Sequence, residues 1–293
     1  MKCRVSAALL CMMLGVFAPS CQHKTETTRI SAEQQRSSIL TFKREGNEIG
    51  RSSLFELLER FPPVVVEGFD PYYQNVRRFR ALPIEGILTK AYAADVASLR
   101  THHWLLRAAD GYTVPLSGER LLEGGACIAF EDLDKPSGWD PIGPQQANPG
   151  PFYLVWSKPT QTSLDTHPRP WQLASFDIVS FETAFPHTDP KVAKDDPAAH
   201  GYGIFKTYCI RCHAINREGG RVGPELNVPK SIVEYRPEEQ IREYILNPAT
   251  FRYGNMPAHL QLTKTDLDGL IAYFRVMQAH KHDPDAQKNG GAH

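Results

Sequence analysis

Residues 209 to 213, CIRCH, place two cysteines three positions apart, with a histidine directly after the second. Cysteines at this spacing occur as half of a zinc site, as a redox dithiol or at a haem attachment point. Zinc needs two further soft ligands, usually a second pair of cysteines or histidines, and no such pair follows. A thioredoxin-like dithiol begins a helix after a strand in a βαβ unit, whereas helical periodicity surrounds this pair.

The histidine behind the second cysteine favours haem over the other two uses. In C-x-x-C-H the two thiols form thioethers to the porphyrin vinyl groups, and the histidine lies beneath the iron. The sequence therefore predicts one covalently attached haem c held by Cys209 and Cys212, with His213 as the proximal iron ligand. A chance motif with a surface histidine stays open as the alternative.

The first twenty residues have the pattern of an export signal. A short cationic start precedes an apolar run, residues 5–17, that is too short to span a bilayer and ends at small residues. We therefore predict a signal peptide at 1–20 and a location in a bacterial periplasm. Small residues followed by Cys21 also resemble a lipoprotein signal, so lipidation of Cys21 stays open; residues 21–38 would then be a polar tether.

Cysteine use and charge exclude several classes of protein. Cys3 and Cys11 would leave with the signal, Cys21 lies at the processing site and Cys127 stands alone, so no disulfide framework is expected. We expect Cys127 to be a buried small hydrophobe. The 33 Lys and Arg balance the 33 Asp and Glu, which excludes the basic field that attracts nucleic acid.

Strand signals dominate residues 39–182. Two apolar segments meet at Asp110-Gly111, a dipeptide favoured in tight hairpins because glycine accepts positive φ. Residues 150–157 and 171–181 are dense in aromatic and β-branched side chains, as strands are. Helical spacing of leucines predicts one helix at 52–60, and a weaker one follows Pro83. This region is expected to be a mainly β (α+β) domain.

Residues 183–197 are rich in proline and charge and lack apolar periodicity, which predicts a linker. From residue 198 the period is helical, so an all-α domain at 198–282 and a flexible tail at 283–293 are expected. One helix begins at the proline and glutamates of 237–239 and ends before Pro248. Another helix follows Thr263 and carries one apolar stripe: Leu267, Leu270, Ile271, Phe274 and Met277.

The segment from about 198 to 280 resembles the class I cytochrome c family. Gly201 and Phe205 stand eight and four residues before the first cysteine, as do the glycine and the aromatic residue of that family's first helix. Residues 270–273, LIAY, resemble the face of the last helix that crosses it. Residues 223–226, GPEL, resemble the family's glycine-proline turn.

The resemblance implies roles for two further residues. The carbonyl of Pro224 should accept the outer ring N–H of His213, which fixes the ring and raises its basicity. Met256, in YGNMPAHL, should be the sixth iron ligand, with His259 as its rival. With both axial positions filled by protein, the iron has no open site, which favours electron transfer over oxygen or peroxide chemistry.

Residues 75 to 182 resemble the later part of the molybdopterin-binding domain of the sulfite oxidase family. The resemblance rests on segments 108–117, 126–134, 150–156 and 169–179. That family binds molybdenum through a cysteine thiolate placed before the hairpin, and this chain has no cysteine between Cys21 and Cys127. The resemblance therefore implies a scaffold without the molybdenum cofactor, and a shared fold alone does not imply enzyme activity.

These observations predict an exported mono-haem c-type cytochrome that carries single electrons between periplasmic redox partners, the N-terminal domain serving as a docking module. The partner would be a periplasmic or membrane redox protein. The alternative is a haem-bearing subunit of an oxidoreductase whose N-terminal domain binds a substrate or a pterin. A purely structural β domain is a third reading.

Overall fold

The computed structural model describes residues 29–135, 138–143, 145–252, 254 and 256–289. The predicted signal peptide and Cys21 lie outside these residues. Across the described ranges, no helix combines the length and the apolar character that a membrane span requires.

The N-terminal region is mainly β, with short helices between the strands. Its strands are β1 Ile39–Arg44, β2 Asn47–Ser53, β3 Val64–Asp70, β4 Asn75–Pro83, β5 His103–Ala108, β6 Thr113–Ser117, β7 Ala126–Asp132, β8 Tyr153–Trp156 and β9 Leu173–Ile178. Its helices are α1 Ala32–Ser37, α2 Leu54–Arg60, α3 Ile84–Tyr92, α4 Val96–Arg100, α5 Gly118–Leu121 and α6 Phe181–Ala184.

These strands form two sheets around one main core. The first has the order β2-β1-β9-β5-β6 and the second β3-β4-β7-β8. Only β1 and β9 pair in parallel; the other described pairs in these sheets are antiparallel. Every residue of β7 and β8 is buried, Cys127 among them, because both faces of these strands are covered.

Two local signals place the helix and the hairpin where the sequence predicts them. Ser53 caps α2 in a capping box with Glu56, which satisfies two backbone donors at the helix start. The β5–β6 hairpin turns at Gly111, whose φ is +91°. A side chain there would strain the backbone, and its Cβ would also lie 2.8 Å from the Cβ of Arg221 in the C-terminal domain.

The C-terminal region is helical, with one short two-stranded ribbon. Its elements are α7 Pro197–Ile204, β10 Ala214–Ile215, β11 Glu218–Gly219, α8 Ile232–Tyr235, α9 Glu238–Leu246, α10 Lys264–Ala279 and α11 Pro284–Asn289. The predicted stripe of α10 is buried along its whole length. The fold is thus a mainly β region followed by a helical one.

Helices α7 and α10 cross in close contact at two glycines. A Cβ on Gly201 would lie 1.9 Å from the carbonyl oxygen of Gly269, so only glycine permits this approach. Beside the crossing, the rings of Phe205 and Tyr273 lie 5.3 Å apart between centroids. Residues 201, 205 and 270–273 therefore meet at one packed crossing.

The described part of the predicted tether is not free chain. Ser31 caps α1 within residues 21–38, and the Arg29 guanidinium pairs with Glu131 of β7 at 2.8 Å. The predicted linker, 183–197, is also packed: Phe185 is buried in the helical core, and the Tyr273 hydroxyl donates to the Thr188 carbonyl at 2.7 Å. Both segments lack apolar periodicity because single side chains and backbone carbonyls, rather than a repeated face, anchor them.

Candidate haem-binding site

The two cysteines and the histidine of CIRCH lie in one tight turn after α7. The helix widens into a single π-helical turn at Phe205–Cys209, where the N–H of Ile210 bonds to the carbonyl of Phe205 at 2.9 Å. Turns of this kind are frequent at functional sites. The N–H of His213 then bonds to the carbonyl of Cys209 at 2.9 Å, which keeps the five-residue motif within one helical turn.

The backbone holds the His213 ring in one orientation. Its Nδ1 lies 2.8 Å from the carbonyl oxygen of Pro224. Since this nitrogen donates to the carbonyl, Nε2 keeps its lone pair for a metal. Burial lowers the pKa of His213, and the Pro224 carbonyl partly opposes that effect. The neutral imidazole that iron ligation requires is therefore the favoured form.

Two glycines after the motif let the chain pass close to the turn. A Cβ on Gly223 would lie 2.4 Å from Cε1 of the His213 ring, and one on Gly220 would lie 2.1 Å from the carbonyl oxygen of Arg211. Gly220 also donates to the Ile210 carbonyl at 2.8 Å. Side chains at these positions would push the loop off the imidazole.

The donor set fits haem c better than zinc. Cys209 and Cys212 are free thiols, and burial raises their pKa values to about 12 and about 11, so neither is a ready thiolate. Among the described residues, no group of three or more His, Cys, Asp or Glu side chains lies together as a metal site. Two thiols for thioether bonds, one oriented imidazole and an apolar surround are the parts that a covalently bound haem requires.

Met256 and His259 lie on the segment between α9 and α10. Met256 is half-buried against the helical core, while its neighbours Tyr253 and Asn255 lie outside the described residues. His259 is also half-buried, with its ring edge-on to Tyr208 at 5.8 Å. The axial role of Met256 stays a prediction, and His259 is a closer rival than a surface histidine would be.

The structure adds Arg211, which lies between the two cysteines. Its guanidinium donates to the carbonyls of Leu164 at 2.9 Å and Asp165 at 2.8 Å, both in the β domain. Its own carbonyl accepts from the N–H of Thr113 at 2.9 Å. The haem attachment turn is therefore bound to the β domain on two sides. No signal in the sequence marks this contact, because the partners lie about 50 to 100 residues earlier in the chain.

Two tyrosines of the β domain lie beside the same turn. Both phenol groups, of Tyr72 and Tyr112, lie close enough to Cys212 for its side chain to affect their pKa values. Burial has the largest effect on each pKa. Burial raises the pKa of Tyr112 to about 12 and that of Tyr72 further. The edge of the site near the second cysteine thus faces neutral aromatic side chains.

One protein-family match covers the region of this site, and two known proteins match part of the chain. Residues 196–274 match the family described as cytochrome c oxidase, cbb3-type, subunit III. A stretch of 92 residues, 31% of this chain, is 30% identical to the dehydrogenase subunit of alcohol dehydrogenase (quinone) from Gluconacetobacter polyoxogenes, of which it covers 12%. A stretch of 89 residues, 28% of this chain, is 32% identical to cytochrome c oxidase subunit 2 from Alkalihalophilus pseudofirmus, of which it covers 26%.

The chain spans 26% or less of the length of these two relatives. The family match begins at residue 196, so it does not include the β domain. It lends no support to the resemblance between the β domain and the sulfite oxidase family. It does support a cytochrome domain of the c type at the C-terminal end of the described chain.

Proposed function

We propose that this chain, whose residues 196–274 form a c-type cytochrome domain with covalently bound haem c, carries single electrons between redox partners outside the cytoplasm. The observation that carries the proposal is the held imidazole of His213, whose Nδ1 bonds to Pro224 at 2.8 Å and leaves Nε2 for iron. A cofactor fixed by two thioethers cannot be exchanged, which suits a carrier.

Each residue of the site has a separate task. The haem supplies a one-electron couple when it is bound. Cys209 and Cys212 would tie it to the turn, and His213, with its ring held by Pro224, would offer Nε2 to the iron. Met256 would supply a soft, neutral thioether to the iron, which would favour the reduced state. If both residues bind the iron, no position would be left on it for a substrate, which suits electron transfer.

The β domain serves as a docking and orienting module in this proposal. It holds the haem attachment turn through Arg211, and it covers the edge near Cys212 with Tyr72 and Tyr112. A partner therefore approaches either another edge of the haem or the β domain itself. Residues 1–20 would direct export to the periplasm, and Cys21 would be a lipid anchor if it is acylated.

The second candidate is a haem-bearing subunit of an oxidoreductase. It is favoured by the two relatives, which are a dehydrogenase subunit and an oxidase subunit. Here the chain would pass electrons to or from a catalytic partner held in a stable complex, rather than between partners that bind and leave. Isolation of the native protein from membranes and periplasm separates the two: a stoichiometric complex favours the subunit, and a free chain favours the carrier.

The axial assignment is tested with Met256→Ala in the exported holoprotein, with Met277→Leu as the matched control. Met277 is buried on the apolar stripe of α10, so its change to leucine conserves volume. The haem spectrum should be unchanged in this variant. We expect the wild type and the control to show a low-spin, six-coordinate haem with a methionine-to-iron charge-transfer band. Met256→Ala should lose that band, and its reduction potential should fall. An unchanged spectrum and potential in Met256→Ala would refute the assignment; loss of the low-spin spectrum in His259→Ala instead would move the role to His259.

A further inference from the structure

A cleft of about 520 Å³ lies between the β domain and the cytochrome domain, outside the haem site. The β5–β6 hairpin forms one wall and the loop after His213 forms the other. Three arginines line it: Arg107 from the first wall, and Arg217 and Arg221 from the second. The proposed electron transfer makes no use of them.

The alternation of strand β5 aims Arg107 into this cleft. Successive side chains of a strand point to opposite faces of the sheet. Leu106 lies in the main core of the β domain, whereas Leu105 lies in the core of the cytochrome domain. Arg107 shares its face with Leu105 and therefore points towards the cytochrome domain.

Backbone contacts hold Arg221 opposite. Its N–H donates to the carbonyl of Gly111 at the tip of the hairpin, at 3.0 Å. The Cβ of Arg221 lies so close to Gly111 that a second Cβ would be 2.8 Å away. The two domains are thus in direct contact at this point, and each places one arginine in the same cleft.

The acidic groups of the cleft have hydrogen-bond partners other than Arg107 and Arg221, although they keep their negative charge. The Glu218 carboxylate binds the ring and the N–H of His187, at 2.6 and 2.8 Å. The Asp110 carboxylate accepts from the N–H of Tyr112 at 2.8 Å. The third arginine, Arg217, has its own partners in Asp283 and Asp285.

Within the described residues, Arg107 and Arg221 have no such ion-pair partner. In the part of the chain that the structure describes, neither forms an ion pair, and the only side-chain hydrogen bond of Arg107 is a long one, 3.4 Å, to Thr113. Burial lowers the pKa of Arg107, the positive charge of Arg221 lowers it further, and Asp177 opposes both. Asp177, Asp110 and Glu218 lie too far from both guanidinium groups for an ion pair, so the paired N–H donors of Arg107 and Arg221 remain available to an anion from solution.

We propose that this cleft binds a small dianion, with Arg107 and Arg221 gripping its oxygens from the two domains. Guanidinium groups match carboxylate, sulfate and phosphate oxygens through paired N–H donors, and the arrangement offers two such groups. The ligand class is therefore a tetrahedral oxyanion or a dicarboxylate. Since its two anchors belong to different domains, the bound anion ties the β domain to the cytochrome domain.

The test is thermal unfolding of the full-length holoprotein with sulfate, phosphate or succinate as probes, each against chloride at matched ionic strength. Low millimolar concentrations keep the general salting-out effect of these anions small. An anion that binds only the folded state raises the unfolding temperature in a saturable way. We expect such a rise with at least one of the three dianions and none with chloride.

Variants decide whether the effect belongs to the cleft. Arg221 is exposed, so Arg221→Gln should fold normally, with the haem spectrum as the check. We expect Arg221→Gln and Arg107→Gln each to weaken binding of the effective dianion about tenfold or more, because each removes a charged pair of donors. Arg36→Gln, a change at an exposed arginine of α1 that does not line the cleft, should leave it unchanged.

Two results would overturn the proposal. One is the absence of a saturable shift with all three dianions. The other is a shift that survives in Arg221→Gln, which would assign the binding to another surface even if Arg107→Gln fails to fold. A shift that is lost in Arg221→Gln and kept in Arg36→Gln supports the site, and the dianion that gives it identifies the ligand class.

Discussion

The crossing of α7 and α10 yields the sharpest prediction, because two glycines of one helix have opposite surroundings. A Cβ on Gly201 would lie 1.9 Å from the carbonyl oxygen and 2.3 Å from the carbonyl carbon of Gly269. A Cβ on Gly203, two positions later, meets nothing within 4 Å. Alanine at the first position clashes with backbone that cannot rotate away, whereas at the second it has room.

The size of the effect follows from that geometry. In Gly201→Ala the helices must separate, which loosens the contact of Phe205 with Tyr273. The free energy of unfolding should fall by about 1 to 3 kcal/mol, even after the better helix propensity of alanine is counted. For a domain of this size that is a fall in unfolding temperature of roughly 5 to 20 °C. Gly203→Ala removes only the glycine penalty and should stabilise the helix by about 0.5 to 1 kcal/mol.

The assay is thermal unfolding of the two holoproteins, followed by the haem absorbance and by far-ultraviolet circular dichroism. The haem signal reports the cytochrome domain separately from the β domain. Equal unfolding temperatures for Gly201→Ala and Gly203→Ala would refute the close crossing. A fall in both variants would mean that glycine is needed throughout α7 for a reason other than contact with α10.

Three other changes test the cytochrome domain and its contact with the β domain. Arg211→Gln removes charged donors from the two carbonyls at 164–165 and should weaken the coupling of the domains by about 2 kcal/mol, seen as earlier unfolding of the cytochrome domain. Gly223→Ala should displace the His213 ring, seen as a weakened low-spin haem spectrum; an unaltered spectrum would contradict the packing. Burial raises the pKa of Tyr202 to about 12, so the folded state holds this proton more tightly than the unfolded chain. Its contribution to stability is complete below about pH 10 and is lost as the pH rises towards 12, and Tyr202→Phe should reduce that loss in alkaline urea titrations.

Features that depend on neighbouring residues were accessible from the sequence. Helix α10 follows its apolar stripe, α2 begins at the Ser53 capping box, and the hairpin turns at Gly111, since each signal lies within a few residues of the structure it specifies. The cysteine-histidine spacing of 209–213 is of the same kind. It names a cofactor because three side chains in one turn are enough to hold it.

Segments anchored by single contacts were not accessible in this way. The stretches around Arg29 and Phe185 have the composition of tether and linker, yet each is packed through scattered contacts of different kinds. Composition averages over a window, so it cannot register a single ion pair or a single buried ring.

Local patterns in the sequence were enough to identify the covalent haem, the order of a β region before a helical one, the helices α2, α3, α9 and α10, and the β5–β6 hairpin. The contacts between distant segments appear only in the folded chain: Arg211 on the 164–165 loop beside the haem site, and Arg107 opposite Arg221 in the cleft between the domains. The physical reason is distance along the chain. Local spacing sets which face of an element a residue occupies, but which distant face it meets depends on the packing of the whole fold.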